Sequence, residues 1–317
     1  MDFRPLGTTG FQIAPIVFGG NVFGWTLDEK TSFSILDAFV DHGFNAIDTA
    51  DVYSVWAPGN EGGESETIIG NWLKANPGKR DQVFIFTKVG WDLEKPGEKG
   101  LSERWIMEAA ERSLKRLGVE RIDLYFSHRA DPETPYEETL GAFDKLLKAG
   151  KIRAIGASNL DASQLSSALD VAKTHNLPRY EVIQPEYNLY DRNSYDGALR
   201  DLCIKEKLGV VPYYSLASGF LSGKYRTQDD LSQSARGSGI GKYLNPRGLK
   251  ILAALDAVAA RHDAKQAEVA LAWLIGREGV TAPIASATRR EHIESFAKAV
   301  QLNLSAEDRA ELDAASA

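Results

Sequence analysis

Ile122-Asp123-Leu124-Tyr125-Phe126 opens the stretch from which the fold is read, residues 122–155. Thr134-Pro135-Tyr136-Glu137 follows, then a run with Leu140, Phe143 and Leu147 on one face, then Gly150, then Ile152-Arg153-Ala154-Ile155. Two short β-branched or aromatic runs thus flank a segment of helical periodicity, which predicts a strand, helix, strand unit. Thr134 places a capping hydroxyl ahead of a proline at the first helical position, and Gly150 supplies the stop. Such a unit joins parallel strands by a right-handed crossover.

The same alternation extends in both directions. Strands are expected at Pro15–Phe18, Phe44–Ile47, Val83–Phe86, Ile122–Phe126, Ile152–Ile155, Glu181–Gln184, Val210–Tyr213 and Ala282–Ala285. Ser102 opens a helix with Ile106, Ala110, Leu114 and Leu117 on one face, and Asp161 with Gln164 opens another carrying Leu165, Ala168, Leu169 and Ala172. Gly43, Gly118, Gly150, Gly209 and Gly279 stand just before strands, where a helix must stop. Eight units predict an α/β protein of the (β/α)8 barrel type; an open doubly wound sheet is the alternative. No Pro/Ser-rich linker divides the chain, so residues 1–317 read as one domain. Phe3 to Ile13, centred on Gly7-Thr8-Thr9-Gly10, reads as a hairpin placed to plug the lower end of the barrel. Leu216 to Asn245, rich in Gly, Ser and Gln, is a long loop after the seventh strand and is expected to be a lid or binding segment. Within it Gly237-Ser238-Gly239-Ile240-Gly241 imitates a nucleotide loop, but no strand precedes it as a dinucleotide fingerprint requires, so it reads as flexible lid.

Composition removes several function classes. With 43% hydrophobic and 26% charged residues the 317-residue chain can bury a core, which excludes wholesale disorder. A net charge of -7 without a basic run would repel a phosphate backbone, so nucleic acid is not an expected partner. Cys203 is the single cysteine, which leaves no intrachain disulfide and no thiolate metal cage, and the five histidines show no ligand spacing, so no metal is expected. Neither a leader pattern nor a spanning stretch of about 18 apolar residues is visible, and a cytosolic protein without a membrane partner is expected.

The chemistry of such a barrel lies where its strands end. The second strand runs into Asp48, with Tyr53 in the following loop; the third ends in Thr87-Lys88, the fourth in Ser127-His128. Each residue has an ordinary reading: a turn cap for Asp48, a packed aromatic for Tyr53, a hydrogen-bonded core histidine for His128. Lys88 resists one, because a lysine at the inner end of a buried strand needs an anion, and Asp48 is on the adjacent strand. Together they form a unit. An ammonium near a phenol of ordinary pKa about 10 is expected to acidify it, the carboxylate keeps the lysine charged, and the imidazole can hold a carbonyl oxygen. The electron source must then be a bound hydride donor.

These residues resemble the aldo-keto reductases, in particular the bacterial NADPH-dependent members and the channel β-subunit branch. The resemblance covers nearly the whole chain. It is carried by Phe44-Asn45-Ala46-Ile47-Asp48-Thr49-Ala50-Asp51-Val52-Tyr53, Glu64-Ser65-Glu66 with Ile69-Gly70, Thr87-Lys88, Asp123 to His128, Gly156-Ala157-Ser158-Asn159, Gln184-Pro185-Glu186-Tyr187-Asn188, and Gly209-Val210-Val211-Pro212-Tyr213. It implies a (β/α)8 barrel that binds NADPH across its rim, with Asp48, Tyr53, Lys88 and His128 as the catalytic tetrad. It further implies that Ser158, Asn159 and Gln184 hold the nicotinamide carboxamide, that Tyr213 stacks under the ring, and that Gly20, Asn21, Asp48, Tyr214 and Ser215 belong to the cofactor site. Leu216, Ala217, Gly219 and Lys224 would follow the pyrophosphate, where small residues permit close approach. Ser286, Thr288, Arg289 and His292 fall where the adenosine 2′-phosphate is expected, with Arg290 beside them, although His292 and Ser295-Phe296 depart from the family's pattern; NADPH is favoured and NADH is possible.

Ser54 to Gly63 is longer than the fold needs, and Trp25, Trp56 and Trp91 follow rim-facing strand ends, which suits a bulky, mostly apolar carbonyl compound or a sugar face. Arg129, after His128, is placed to meet an oxygen-rich or anionic group. The expected activity is reduction of an aldehyde or a cyclic or polycyclic ketone to the alcohol. Two rivals stand beside it: a cofactor-binding regulatory subunit with weak turnover, and a barrel aldolase using Lys88 as a Schiff-base nucleophile, which would leave Tyr53 and His128 unexplained. Oligomeric state is not legible.

Overall fold

The computed structural model describes residues 1–233 and 237–317. A short antiparallel hairpin, β1 (Arg4–Pro5) and β2 (Gln12–Ile13), comes first. Eight parallel strands follow: β3 (Val17–Gly19), β4 (Ala46–Asp48), β5 (Phe84–Val89), β6 (Ile122–Ser127), β7 (Ile152–Ser158), β8 (Val182–Gln184), β9 (Gly209–Val210) and β10 (Ile284–Ala285). They lie in the order β10-β3-β4-β5-β6-β7-β8-β9. The remaining seam closes through main-chain bonds from Thr281 N and Ala282 N to Val210 O (2.8 and 3.2 Å) and from Ile284 N to Pro212 O (2.8 Å). The fold is therefore a (β/α)8 barrel and not an open sheet.

The helices are α1 (Glu29–Asp41), α2 (Glu64–Ala75), α3 (Glu103–Leu117), α4 (Tyr136–Lys148), α5 (Ala162–Thr174), α6 (Ala198–Glu206), α7 (Pro246–Arg261), α8 (Gln266–Ile275), α9 (Arg290–Gln301) and α10 (Ala306–Ser316). The ring around the barrel is α1 to α6 with α8 and α9, while α7 and α10 pack against each other outside it. Ser102 caps α3 by accepting from Trp105 N, and Asp161 with Gln164 forms a reciprocal capping box on α5. Thr134 does not cap α4 as its sequence suggests. Pro135 takes the cap position, and the Thr134 hydroxyl donates to Asp131 Oδ2 at 2.7 Å.

Strand parity decides what faces the centre. Ala46, Phe86, Leu124, Phe126, Ala154, Val182, Val211 and Ile284 form the inner core, whereas Ile47, Ile85 and Tyr125 pack outward against the helices. Leu6, Phe11 and Ile13 of the hairpin complete the inner core from the amino-terminal end, so the hairpin does plug the barrel. Gly7 is required there. It sits at φ +55, and a Cβ would fall 2.4 Å from Glu181 O and 2.5 Å from Gly209 N. Gly209 is accordingly a strand residue against the hairpin rather than a helix stop, and Lys207 takes the left-handed conformation that ends α6.

Three further boundaries differ from expectation. β5 and β7 run three residues past the expected ends, because their tails, Thr87-Lys88-Val89 and Gly156-Ala157-Ser158, still pair with β6 and β8 although polar residues and a glycine break the apolar run. β9 stops at Val210, since Pro212 offers no N–H to a ladder. The long loop after β9 is not a structureless lid in its described residues: it winds through short 3-10 turns at Ala217–Ser222, Gln228–Gln233, Gly237–Gly239 and Gly241–Tyr243, with Phe220, Leu221, Tyr225, Ile240 and Tyr243 buried. Residues 234–236 of that loop lie outside the described residues.

Candidate active site

Parity carries the polar groups to one place. Asp48 is in phase with Ala46, Lys88 with Phe86, His128 with Phe126, and Gln184 with Val182, so each inward-facing row ends in a polar side chain at the carboxyl rim. Lys88 is fully buried, and its Nζ donates to Asp48 Oδ2 (2.7 Å), Thr49 O (2.8 Å) and Tyr53 Oη (2.8 Å). Three acceptors match three donors, which is what an enclosed ammonium needs. Tyr53 Oη in turn lies 3.3 Å from Asp48 Oδ2, and Gln184 Nε2 donates to Asp48 Oδ1 at 2.9 Å. The His128 ring stands edge-on to Tyr53, with centroids 6.0 Å apart.

The electrostatics correct one expectation. Burial first, and the Asp48 charge second, hold the Tyr53 phenol well above its ordinary pKa, and the neighbouring Lys88 ammonium does not bring it below that value. Asp48 lies as close to the ammonium as the phenol does, and the compensated pair presents little net positive field to Tyr53. Burial lowers Lys88 against the pull of Asp48, and burial together with Lys88 and Arg129 holds His128 well below 6.5. Tyr53 is therefore a protonated phenol and His128 a neutral imidazole at neutral pH.

The expected nicotinamide-binding residues form one network with these. Ser158 Oγ donates to Gln184 O (2.8 Å), Asn159 Nδ2 donates to His128 O (2.9 Å) and to Ser158 Oγ (3.1 Å), and Tyr213 Oη donates to Asn159 Oδ1 (2.7 Å). The Tyr213 ring is half-exposed beside them, next to Tyr214. Tyr214, Ala217 and Ser218 hold positive φ values without being glycines, strain of about 1–3 kcal/mol each that clusters at ligand clamps. Not every side chain of this group faces a ligand: Ser215 is buried with its hydroxyl on Pro212 O, and Ala217 is fully enclosed, so these two can contribute only main chain. Leu216 and Gly219 are partly exposed and Lys224 is exposed.

Across the rim, Ser286 Oγ donates to Asn21 Oδ1 at 2.8 Å, above buried Gly20, and Thr288 N donates to His292 Nδ1 at 3.2 Å at the start of α9. Arg289, Lys224 and Lys265 are near enough to His292 to depress its pKa, after burial. Lys265 was not singled out from sequence, since it reaches this cluster from α8's leading edge. Arg290 instead turns toward Ser34 of α1. A dinucleotide fits this donor set: amides and an aromatic face near Tyr53, cations and a helix start at the other end.

The tryptophans gather where expected. Trp25 meets Trp56 edge-on at 5.6 Å, Trp56 lies 6.1 Å from Tyr53, and Trp91 lies 5.1 Å from His128. A second buried cluster escaped sequence reading. Glu66 of α2 accepts from Thr87 Oγ1 (2.5 Å) and from Arg116 Nε of α3 (2.6 Å), with Asp51 and Tyr125 enclosed beside it.

A parallel barrel whose carboxyl rim holds a lysine, an aspartate and a tyrosine in mutual contact defines a class of barrel oxidoreductases. The sequence pattern of the Aldo/keto reductase family matches residues 15–317, and the chain belongs to that family. It is 32% identical over 308 residues to an Arabidopsis thaliana protein named probable voltage-gated potassium channel subunit beta, covering 95% of this chain and 92% of the relative. It is also 32% identical over 323 residues to the aldo-keto reductase YhdN of Bacillus subtilis (strain 168), covering 99% and 93%. An uncharacterized 11.2 kDa protein of Pseudescherichia vulneris is 67% identical over 94 residues, 30% of this chain and 91% of that protein. The protein is thus an oxidoreductase of a family that uses NAD(P)H.

Proposed function

We propose that the protein reduces an aldehyde or a bulky cyclic or polycyclic ketone to the alcohol, with NADPH as reductant and Tyr53 as the proton donor. The observation that carries this reading is the buried contact of Lys88 Nζ with both Tyr53 Oη and Asp48 Oδ2. When bound, the nucleotide supplies the hydride that the carbonyl carbon accepts. The chain's own residues manage the oxygen. His128 is neutral, and neither ring nitrogen has a hydrogen-bond partner among the described residues; its Nδ1 is fully buried. A buried orphan donor costs more than a buried orphan acceptor, so the proton belongs on Nε2, free to hold the substrate oxygen. Tyr53 Oη keeps its proton until negative charge builds on that oxygen and then gives it up, needing no acidified phenol because an alkoxide is far more basic. Lys88 Nζ, at 2.8 Å, passes a proton to the phenolate, and Asp48 holds the lysine charged and aimed. Ser158, Asn159, Gln184 and Tyr213 orient the nicotinamide, and the cations around His292 support NADPH over NADH. A cytosolic setting is in keeping with the lone buried thiol of Cys203.

Titration of the protein with NADPH and NADH by fluorescence, paired with turnover of aldehydes and cyclic ketones, tests the reading. Tyr53→Phe is expected to abolish turnover, at least 100-fold, while nucleotide binding persists. The plant relative named as a channel subunit favours a second reading, a nucleotide-binding partner subunit. Tight NADPH binding with negligible turnover in the unaltered protein would support that one instead.

A further inference from the structure

Arg129 directly follows His128 and lays its guanidinium over Trp91, with Cζ 5.1 Å from the indole centroid. The Trp91 ring itself lies 5.1 Å from the His128 ring, so the cation stands one ring away from the group that would hold a substrate oxygen. Among the described residues the guanidinium forms no hydrogen bond and no ion pair. The acid two residues on, Asp131, is already engaged: its Oδ2 accepts from Leu101 N and Thr134 Oγ1 (2.7 Å each) and its Oδ1 from Glu133 N (3.0 Å). Two other cations of the loop after β5 are paired, Lys95 with Glu61 at 3.0 Å and Lys99 with Asp92 at 3.6 Å. Arg129 is close enough to Asp131 to help hold that carboxyl below its ordinary pKa, but no hydrogen bond or ion pair ties the guanidinium down among the described residues, and in a chain of net charge -7 its fork is left open at the mouth. Stacking on an indole pre-organises the planar fork, which is the geometry that grips a carboxylate through two parallel bonds.

The walls describe the rest of the ligand. Trp91 is 40% exposed and Trp56 47%, so both offer flat apolar faces beside Tyr53 and His128 on which a ring can stack. We propose that the substrate is an aromatic or cyclic carbonyl compound bearing a carboxylate, its carbonyl at Tyr53 and His128, its ring between Trp56 and Trp91, and its carboxylate on Arg129. This rests on the reductase reading above and specifies which carbonyl compounds that site prefers.

The test compares 4-carboxybenzaldehyde with its uncharged ester, methyl 4-formylbenzoate, in the unaltered protein, Arg129→Met and Arg129→Lys with NADPH. In parallel, binding of the product-like 4-(hydroxymethyl)benzoate to the nucleotide-loaded protein is followed by tryptophan fluorescence, which needs no turnover. The expected result is a preference for the acid over the ester whose kcat/KM ratio drops about tenfold in Arg129→Met and less in Arg129→Lys, with a matching rise in Kd for the benzoate. An unchanged ratio in Arg129→Met, or benzoate binding indifferent to the substitution, overturns the inference even if both aldehydes are reduced. Binding of the benzoate through Arg129 without turnover of either aldehyde would sustain it and fell the reductase reading alone.

Discussion

Asp51 lies in the loop between Asp48 and Tyr53, enclosed, and neither of its carboxyl oxygens has a partner among the described residues. Its main-chain N donates to Lys88 O at 3.3 Å, so it lines the back of the lysine, while the ammonium itself is spent on Asp48, Thr49 and Tyr53. Burial, and then the neighbouring Glu66 charge, push this carboxyl well above its ordinary value. A group whose folded pKa is raised lends stability below its unfolded pKa of about 4 and withdraws it as pH climbs toward the folded value, by up to about 1.4 kcal/mol per pH unit. Asp51→Asn keeps the shape and removes the titration. It is expected to be more stable than the unaltered protein at pH 8, with the gap closing toward pH 5; urea midpoints at the two pH values check this, and a gap that widens on acidification would refute it. The residue scale also shows what sequence can and cannot announce. Asp48, Lys88 and His128 were visible because each ends a strand in a shared parity. Asp51, Glu66 and Arg116 were not, because their company comes from α2 and α3, whose approach depends on packing between helices.

That approach turns on one residue. Gly70 is buried in α2, and a Cβ there would fall 2.1 Å from Arg116 O and 2.9 Å from Leu117 C, both main chain of α3. No rotamer can relieve such a clash, so Gly70→Ala must part the two helices. It is expected to cost about 1–3 kcal/mol, as overpacking does, and to loosen the Glu66 to Arg116 contact that backs Thr87. Thermal unfolding monitored by circular dichroism measures the cost; an unchanged midpoint would show that α2 and α3 slide apart freely. At this scale the sequence was most readable where the signal is local. The capping of α3 and α5 and the apolar stripes of both helices follow from spacings within a dozen residues. It failed where a competing or distant partner decides: Thr134 turned to Asp131 three residues back, the tails of β5 and β7 stayed paired although Thr87, Lys88 and Ser158 are polar, and the glycine-rich loop after β9 folded into buried turns around Phe220 and Tyr243.

The whole molecule separates stability from chemistry along the barrel axis. Strands end in Asp48, Lys88 and His128 at one mouth, while the hairpin seals the other with Leu6, Phe11 and Ile13 against Phe86, Leu124 and Phe126. Sequence revealed both ends because inward parity repeats on every strand, but it could not show the seam at Pro212, which closes through Thr281 and Ile284 instead of a regular ladder. Phe11 tests the separation. It is 3% exposed, stacks on Phe84 with centroids 4.7 Å apart, and lies 4.5 Å from the Arg153 guanidinium, which also reaches the Phe84 ring at 5.9 Å. Truncation removes a large apolar body from a site lined on every side, where collapse is limited, so Phe11→Ala is expected to destabilise by about 3–5 kcal/mol. The rim should not register it, because the rows of Phe86 and Phe126 lie between the plug and the tetrad. Urea unfolding should therefore show a lowered midpoint while kcat/KM for a reduced aldehyde, measured well below the transition, stays within a factor of about two. A fall in kcat/KM with the midpoint intact would mean that the plug governs the geometry of Lys88 and Tyr53, and that the two ends of the barrel are mechanically one.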